Sequence, residues 1–303
     1  MDGLLVVDKP SGCTSHDVVL RVRRLLGARR VGHCGALDPD ATGVLLITLG
    51  QATRFFPYLS GEDKTYEGLI RLGYATDTYD ASGHPTSKEK TTGLPSAAEI
   101  ETGMRGLEGE ILQVPPAYSA KKLGGRPAYK LARARKQFVL EPVRVVVSAF
   151  VLRNSSPPFI EFEARCSAGT YIRSLAHDLG EKLGCGAHLH SLRRTSVGPY
   201  KLAQAVSLGD IEKAVGGARI SELIIPLENL LPGAPAVVLS PAAVTRAKNG
   251  APLFPEHLTG RSGDPPAWSE TTLFRVFDPS GRFLALARPS TDGNSLRPVL
   301  RVR

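Results

Sequence analysis

Patterned sulfur is missing from this sequence. Its four cysteines, Cys13, Cys34, Cys166 and Cys185, include no CxxC pair. Cys185-Gly186-Ala187-His188 has half of a zinc spacing without the other half, so no metal site is expected. The thiols fit a reducing compartment, where buried or neutral cysteine is the default. No apolar run approaches the roughly 18 residues of a membrane span. Met1-Asp2-Gly3 lacks the basic-then-apolar opening of a signal peptide, which points to a cytoplasmic protein without a membrane partner. No internal repeat is visible. Acidic charge is also short: 29 Asp and Glu stand against 38 Lys and Arg, a net charge of +9. A polyanionic partner would suit that balance.

The deficit is local. Lys121, Lys122, Arg126, Lys130, Arg133, Arg135 and Lys136 fall in a stretch with no acidic residue, and Arg21, Arg23, Arg24, Arg29 and Arg30 form a second cluster. Either could be a solvated face, but two unbalanced clusters favour phosphate contact. With 303 residues, 42% hydrophobic and 22% charged, the chain has room for one large domain and a small one.

Leu4 to Val7 reads as a first strand, followed by the turn Asp8-Lys9-Pro10-Ser11-Gly12. Ser15 is expected to cap a helix with Val18, Val22, Leu25 and Leu26 on one face and Gly27 at its end. Strands are expected at 44–49, 64–72, 143–151, 159–166 and 189–195, and a helix at 53–59. Ser96 and Glu99 form a capping box for a helix through Met104, and Pro127 opens a short helix bearing Lys130 and Arg133. Gly169-Thr170-Tyr171-Ile172-Arg173 opens a helix striped with Ile172, Leu175, Ala176, Leu179 and Leu183, closed by Gly184. Helices follow around Ile211 and Leu223. Pro232-Gly233-Ala234-Pro235 reads as a linker, which divides the chain into residues 1–232 and 233–303. Beyond it come a short helix at 242–248, an unusual loop at 260–268, and strands at 273–277 and 283–287 joined by Asp278-Pro279-Ser280-Gly281.

The chemistry centres on Gly35-Ala36-Leu37-Asp38-Pro39-Asp40-Ala41-Thr42-Gly43. Pro39 pushes Asp38 out of the helical region. The flanking glycines allow a turn or a close approach, and the apolar run Val44 to Ile47 leads into the core. An acid on a constrained loop beside a rigid strand is a common way to place a reactive group. Asp-Pro is also an ordinary turn opener, so local chemistry alone leaves both readings open.

Gly32-His33-Cys34-Gly35-Ala36-Leu37-Asp38-Pro39 with Ala41-Thr42-Gly43 closely resembles the signature of the bacterial TruB family of tRNA pseudouridine synthases, with Ala36 where that family usually has Thr. Further matches are Lys9-Pro10-Ser11-Gly12 with Thr14-Ser15, Lys64-Thr65-Tyr66, the polar run Thr76 to Gly83, Gly169 to Arg173, and Leu192-Arg193-Arg194. The resemblance implies an α+β pseudouridine synthase fold on a mixed, mainly antiparallel sheet, plus a small C-terminal β-rich PUA-like RNA-binding domain. It implies isomerisation of uridine 55 in the tRNA T-loop, with the base flipped out of the stack. Asp38 would be the catalytic carboxylate and Arg173 its ion-pair partner. Tyr66 would stack on the base, which has a π face to meet it, and could assist proton transfer. Tyr171 and Leu192 would wall the pocket, and His33 would insert into the T-loop. Lys9, Lys121, Lys122, Lys130 and Arg133 complete the expected substrate-binding set. Breaking a C–N bond and making a C–C bond between the same two partners needs no redox change, so no cofactor is expected. The partner would be the T-arm of tRNA, with no guide RNA and a monomeric protein. Three rivals stay open: a non-catalytic RNA-binding or tRNA-folding module, a guide-RNA-directed synthase of the related branch, and a base-releasing N-glycosidase.

Overall fold

The computed structural model describes residues 1–119, 121–134, 138–262 and 272–302. Arg135, Lys136 and most of the expected 260–268 loop lie outside the described residues, as do the side chains of Lys122 and Arg133.

The N-terminal part is built on a nine-stranded sheet. Strand β1 (Gly3–Lys9) pairs antiparallel with β3 (Thr42–Leu49), and β2 (Val31–Cys34) lies on the other side of β3. Between β1 and β2 runs α1 (Ser15–Leu26). Its cap is Thr14 rather than Ser15: Thr14 and Asp17 form the capping box, and Gly27 closes the helix at φ 58°. Ser15 is thereby free for another task, described below. The segment expected as one helix at 53–59 is a 3₁₀ turn (Gly50–Phe55) running into α2 (Phe56–Leu59), with Pro57 in the first turn.

Strand β4 (Lys64–Leu72) has the expected bounds. The capping box at Ser96 and Glu99 starts α3 (Ala97–Arg105), and β5 (Gly109–Gln113) follows as the sheet's edge. A two-stranded ribbon, β6 (Lys122–Leu123) and β7 (Arg126–Pro127), leads into α4 (Ala128–Arg133). Strands β8 (Val143–Ser156) and β9 (Phe159–Cys166) form a long hairpin, α5 (Ile172–Lys182) crosses back, and β10 (Ala187–Val197) enters the middle of the sheet. The short β11 (Tyr200–Lys201) pairs with β10, and α6 (Leu208–Gly216) completes this part.

The strand order is β1-β3-β10-β4-β9-β8-β5. All pairings in this sheet are antiparallel except β3 with β10, which meet in parallel at only two positions, Arg193 with Thr42 and Arg194 with Gly43. The sheet is therefore two antiparallel halves joined by a short parallel seam.

The apolar pattern explains what covers each half. In β4, β9 and β10 the buried Ile70, Leu72, Ile160, Phe162 and Leu189 pack with Leu175 and Leu179 of α5 and Met104 of α3. Strands β1 and β3 are instead apolar at consecutive positions, the mark of burial on both faces. Leu5, Val7, Leu45 and Ile47 meet Val18 and Val22 of α1, while Leu4, Val6, Val44 and Leu46 point the other way.

What they meet there is the second sheet. It comprises β12 (Ala236–Leu239), β13 (Leu258–Ser262), β14 (Phe274–Phe277), β15 (Phe283–Pro289) and β16 (Leu296–Arg301), in the order β13-β12-β14-β15-β16, with α7 (Val244–Asn249) packed against it. Phe283, Leu286 and Leu300 of this sheet share one apolar cluster with Leu4, Val6 and Phe55. Strands β2, β5, β12 and β16 carry weak local signals and are visible only through their pairing. Among the described residues no helix is long and apolar enough to cross a membrane, and no cluster of three metal-type ligands is present. The half zinc pattern is core: Cys185 and His188 are buried, and the His188 ring bonds the Tyr74 carbonyl.

Candidate active site

The Asp38 loop is fixed by donors from beneath. Lys9 is fully buried, and its ammonium donates to the carbonyls of Pro10 (2.9 Å), Pro39 (2.9 Å) and Ala41 (2.7 Å). Ser15, released from capping, grips Leu37 twice: its hydroxyl accepts from the Leu37 amide (2.8 Å) and donates to the Leu37 carbonyl (3.1 Å). Arg194 donates to the carbonyls of Val44 (2.7 Å), Gly35 (2.9 Å) and Ala36 (3.5 Å). Gly43, at φ 100°, leaves no room for a side chain, since a Cβ there would fall 2.2 Å from the Arg194 carbonyl oxygen. A loop with this many satisfied carbonyls holds one shape.

Across the cleft, Arg173 stands in the first turn of α5. It is nearly buried and grips Asp38 with two nitrogens, Nε to Oδ2 at 2.9 Å and Nη2 to Oδ1 at 3.2 Å. Such a fork fixes the plane of the carboxylate as well as its charge. Arg173 is itself held by Asp80 (3.4 Å) and by the carbonyls of Thr78 (3.2 Å) and Tyr118 (3.0 Å). Gln113, fully buried, bonds both backbone groups of Tyr171 just before the helix, which fixes where α5 starts. Asp38 keeps 47% of its side chain open to the cleft. The cleft walls still withdraw it from bulk water, which pushes its carboxyl above the ordinary value; Arg173 pulls the other way, and Asp80 and Lys9 act more weakly in opposite senses.

The cleft encloses about 260 Å³. Leu37, Asp38, Tyr66, Tyr171, Leu192 and Arg173 line it, together with Lys64 and Arg194. Tyr66, 6% exposed, sits on β4 opposite Arg194 of β10. Burial pushes its phenol up, so it stays protonated near neutral pH.

The other expected site residues lie elsewhere. Lys9 does not meet substrate: its ammonium is spent on three carbonyls with no surface left over, a correction to its place among the binding residues. His33 is half-buried on β2, outside the cleft lining, with Nδ1 unbonded; burial lowers its pKa and leaves the ring neutral near pH 7. Lys121 donates to the Glu141 carbonyl (3.1 Å) and borders a neighbouring hollow with Arg144 and Tyr171. Lys130 is exposed on α4. Lys64, Asp80, Gln113 and Arg194 also belong to the site, although the sequence assigns them no role; Lys64 and Arg194 lie in the matched stretches Lys64 to Tyr66 and Leu192 to Arg194. Asp80 had a signal in the Thr76 to Gly83 run; Gln113 had none.

The sheet, the cleft and the Asp–Arg pair define a pseudouridine synthase of the α+β class. Solved structures agree: a Cbf5-Nop10-Gar1 complex is similar at TM-score 0.75 and 27% identity, over 98% of this chain and 83% of that one. The archaeal box H/ACA sRNP Nop10-Cbf5 complex is similar at TM-score 0.73 and 26% identity, over 99% and 85%. Residues 23–172 match the N-terminal domain of the TruB family pseudouridylate synthases, and residues 173–232 match the tRNA pseudouridylate synthase B C-terminal domain. The tRNA pseudouridine synthase B of Thermobifida fusca is 44% identical over 308 residues, covering 99% of this chain and 98% of the relative. That of Solibacter usitatus is 44% identical over 250 residues, covering 82% and 85%. The chain belongs to the TruB family.

Proposed function

We propose that this protein is a tRNA pseudouridine synthase that converts uridine 55 of the T-loop. The observation that carries the reading is the two-pronged Asp38–Arg173 pair facing the buried Tyr66 across one cleft. A target uridine leaves the RNA stack and lies against the Tyr66 ring. Asp38, kept ionised and aimed by Arg173, attacks as the glycosidic C–N bond breaks. The base turns and rejoins the sugar through carbon, and Leu192 and Tyr171 keep water from intercepting it. Electrons and atoms balance within one nucleotide, so the chain needs no cofactor.

The test is Asp38→Asn, nearly isosteric with wild type. Pseudouridine formation in a single turnover should vanish while binding of the same unmodified tRNA stays within a few-fold. Wild-type conversion by the variant would sink the mechanism. Tight binding by the wild type with no pseudouridine in any tRNA would leave a binding module. Release of free uracil would mark an N-glycosidase.

The solved relatives are complexes with Nop10 or with Nop10 and Gar1. Our reading is that this chain works alone, as a monomer, on the T-arm. Two features support it: the high identity to proteins named tRNA pseudouridine synthase B, and basic Lys121 and Lys130 on the segment that ends beside the cleft. Activity seen only after a guide RNA is added would overturn it.

A further inference from the structure

Two cations lie under the cleft without a counter-ion. Lys64 is 6% exposed and Arg194 1%, and both line the cleft that holds Asp38 and Tyr66. They are neighbours: a Cβ built on Gly35 would lie 3.4 Å from Lys64 Cε and 3.6 Å from Arg194 Nη1. Among the described residues no carboxylate comes within ion-pair distance of either. Glu62, two residues before Lys64, offers the ammonium its backbone carbonyl, as does Ser60. Asp38, the acid of this cleft, is taken by Arg173.

This arrangement costs stability. Two like charges repel, and each has given up water for neutral partners: backbone carbonyls and, for Arg194, the Tyr66 phenol as well. Holding a loop by its carbonyls needs donors, but it does not need two adjacent positive charges facing a cavity. Lys9 does the same holding work away from the cleft. What sets Lys64 and Arg194 apart is that they line the cleft that holds Asp38 and Tyr66.

We propose that Lys64 and Arg194 form a cationic floor that stabilises the uracil ring as an anion while it is detached from the sugar. The proposal rests on the pseudouridine synthase reading above. As the C1′–N1 bond breaks, its electron pair stays with the base and spreads over N1 and the ring oxygens, while an Asp38 oxygen bonds C1′. The anion turns, and C5 attacks C1′ and displaces Asp38. C5 then gives up its proton and N1 gains one, so the sum is an isomerisation. The bound uridine is neutral and the detached base carries a full negative charge. A fixed positive floor therefore favours the transition state over the substrate, as preorganised donors do at other developing anions. Arg194 stands opposite Tyr66 in the β4–β10 register, which puts the charge beside the ring on which the base stacks.

The experiment uses Lys64→Met, which keeps the stem and removes the charge. Cleavage of the C1′–N1 bond is followed in single turnovers with an unmodified tRNA transcript and with the same transcript containing 5-fluorouridine. Fluorine withdraws electrons, so that base carries its negative charge with less help. Lys64→Met should slow cleavage at uridine by about 100-fold and at 5-fluorouridine by about tenfold or less, with tRNA affinity nearly unchanged. Lys64→Arg should stay within a few-fold of wild type on both. An equal loss on both transcripts would show that Lys64 only shapes the site and would overturn the proposal, as would an undiminished rate on uridine. If Lys64→Met fails to fold, Arg194→Lys, which keeps the charge and loses the fork, should preserve the wild-type ratio of the two rates whatever its absolute rate. A changed ratio would overturn the proposal. A wild-type protein that cleaves neither transcript would overturn the underlying reading and this proposal with it.

Discussion

The cations beneath the Asp38 loop and those of the 121–134 segment are the same residue types in opposite surroundings. Lys9, Lys64 and Arg194 are buried, and their donors go to backbone carbonyls. Arg126 and Lys130 are exposed on a small ribbon and a six-residue helix. Lys9 and Arg194 give the catalytic loop its shape, and Lys64 holds the 60–62 turn beside it; the second group is free to meet an outside partner. Residue type and local charge do not separate them. What separates them is whether the fold buries the side chain among carbonyls; Lys121 also reaches a carbonyl, that of Glu141, but stays partly exposed.

The sharpest break in that comparison is at Arg173, a buried cation that does have carboxylate partners. Arg173→Leu should lower single-turnover pseudouridine formation on the order of 10²-fold or more, as for loss of other preorganised charge contacts, with tRNA affinity nearly intact. The acid side of the pH–rate profile checks the cause. The Asp38 carboxyl already lies above the ordinary aspartate value, so activity, which needs the ionised form, should fall as pH drops through that raised value. Losing Arg173 removes the main influence holding it down, so the acid limb should move to still higher pH. An unmoved limb would mean that Arg173 serves geometry alone. The linkage has a matching sign: a raised carboxyl adds folded-state stability at low pH that is lost as pH rises through its folded value. Asp38→Asn should therefore not destabilise the fold at neutral pH.

Next in size is Lys9→Ala. Three carbonyls would lose their donor and a cavity would open, a loss of about 3 kcal/mol. Urea unfolding measures it, and activity should fall with the order of the loop. A variant as stable as wild type would place Lys9 with the dispensable surface charges.

Truncation after residue 232 tests how separate the second sheet is. We expect 1–232 to fold and to keep its chemical step at saturating concentration, with weaker tRNA binding. Phe55, Val44 and Leu46 would lose the cover of Phe283 and Leu286. The melting temperature should therefore drop by about 5 °C or more. Lost single-turnover rate would show that the two parts are one catalytic unit. The smallest effect is expected from Lys130→Glu, a few-fold loss of tRNA affinity. The slope of log affinity against log salt should flatten by roughly 0.7–0.9 for one lost phosphate contact. An unchanged slope would remove Lys130 from the RNA surface.

Legibility followed the range of the interactions. Strands β4 and β9 were readable to the residue because alternation and turn residues are local properties. Thr14 and Ser15 were one position out: both suit a cap, and only the distant Leu37 decides which is engaged elsewhere. Strand β2 needs β3 to exist, and β16 needs β15. In the site, Asp38, Tyr66 and Arg173 come from separate motifs, and the fold sets them around one cleft. Gln113 left no trace, since its work is to hold a backbone 58 residues away. Arg194 lay in the matched Leu192-Arg193-Arg194 stretch without a role of its own, and it is among the most buried side chains in the molecule.

The short parallel seam between β3 and β10 has a consequence for how the site can fail. Asp38 hangs from the half of the sheet made by β1, β2 and β3; Tyr66 lies in the other half, and Arg173 packs on it. Two residue pairs, the Arg194 side chain and the reach of Arg193 to Thr42 (3.1 Å) and Asp8 (2.7 Å) stitch those halves together. Apolar packing of Leu37 and Ala41 against the other half, and of Val197 and Tyr200 against β1 and β3, adds to that join. The backbone pairing is nonetheless thinnest where the acid and the base-stacking ring must meet. Substitutions that loosen the seam, such as Arg193→Ala, should therefore cost activity before they cost much stability.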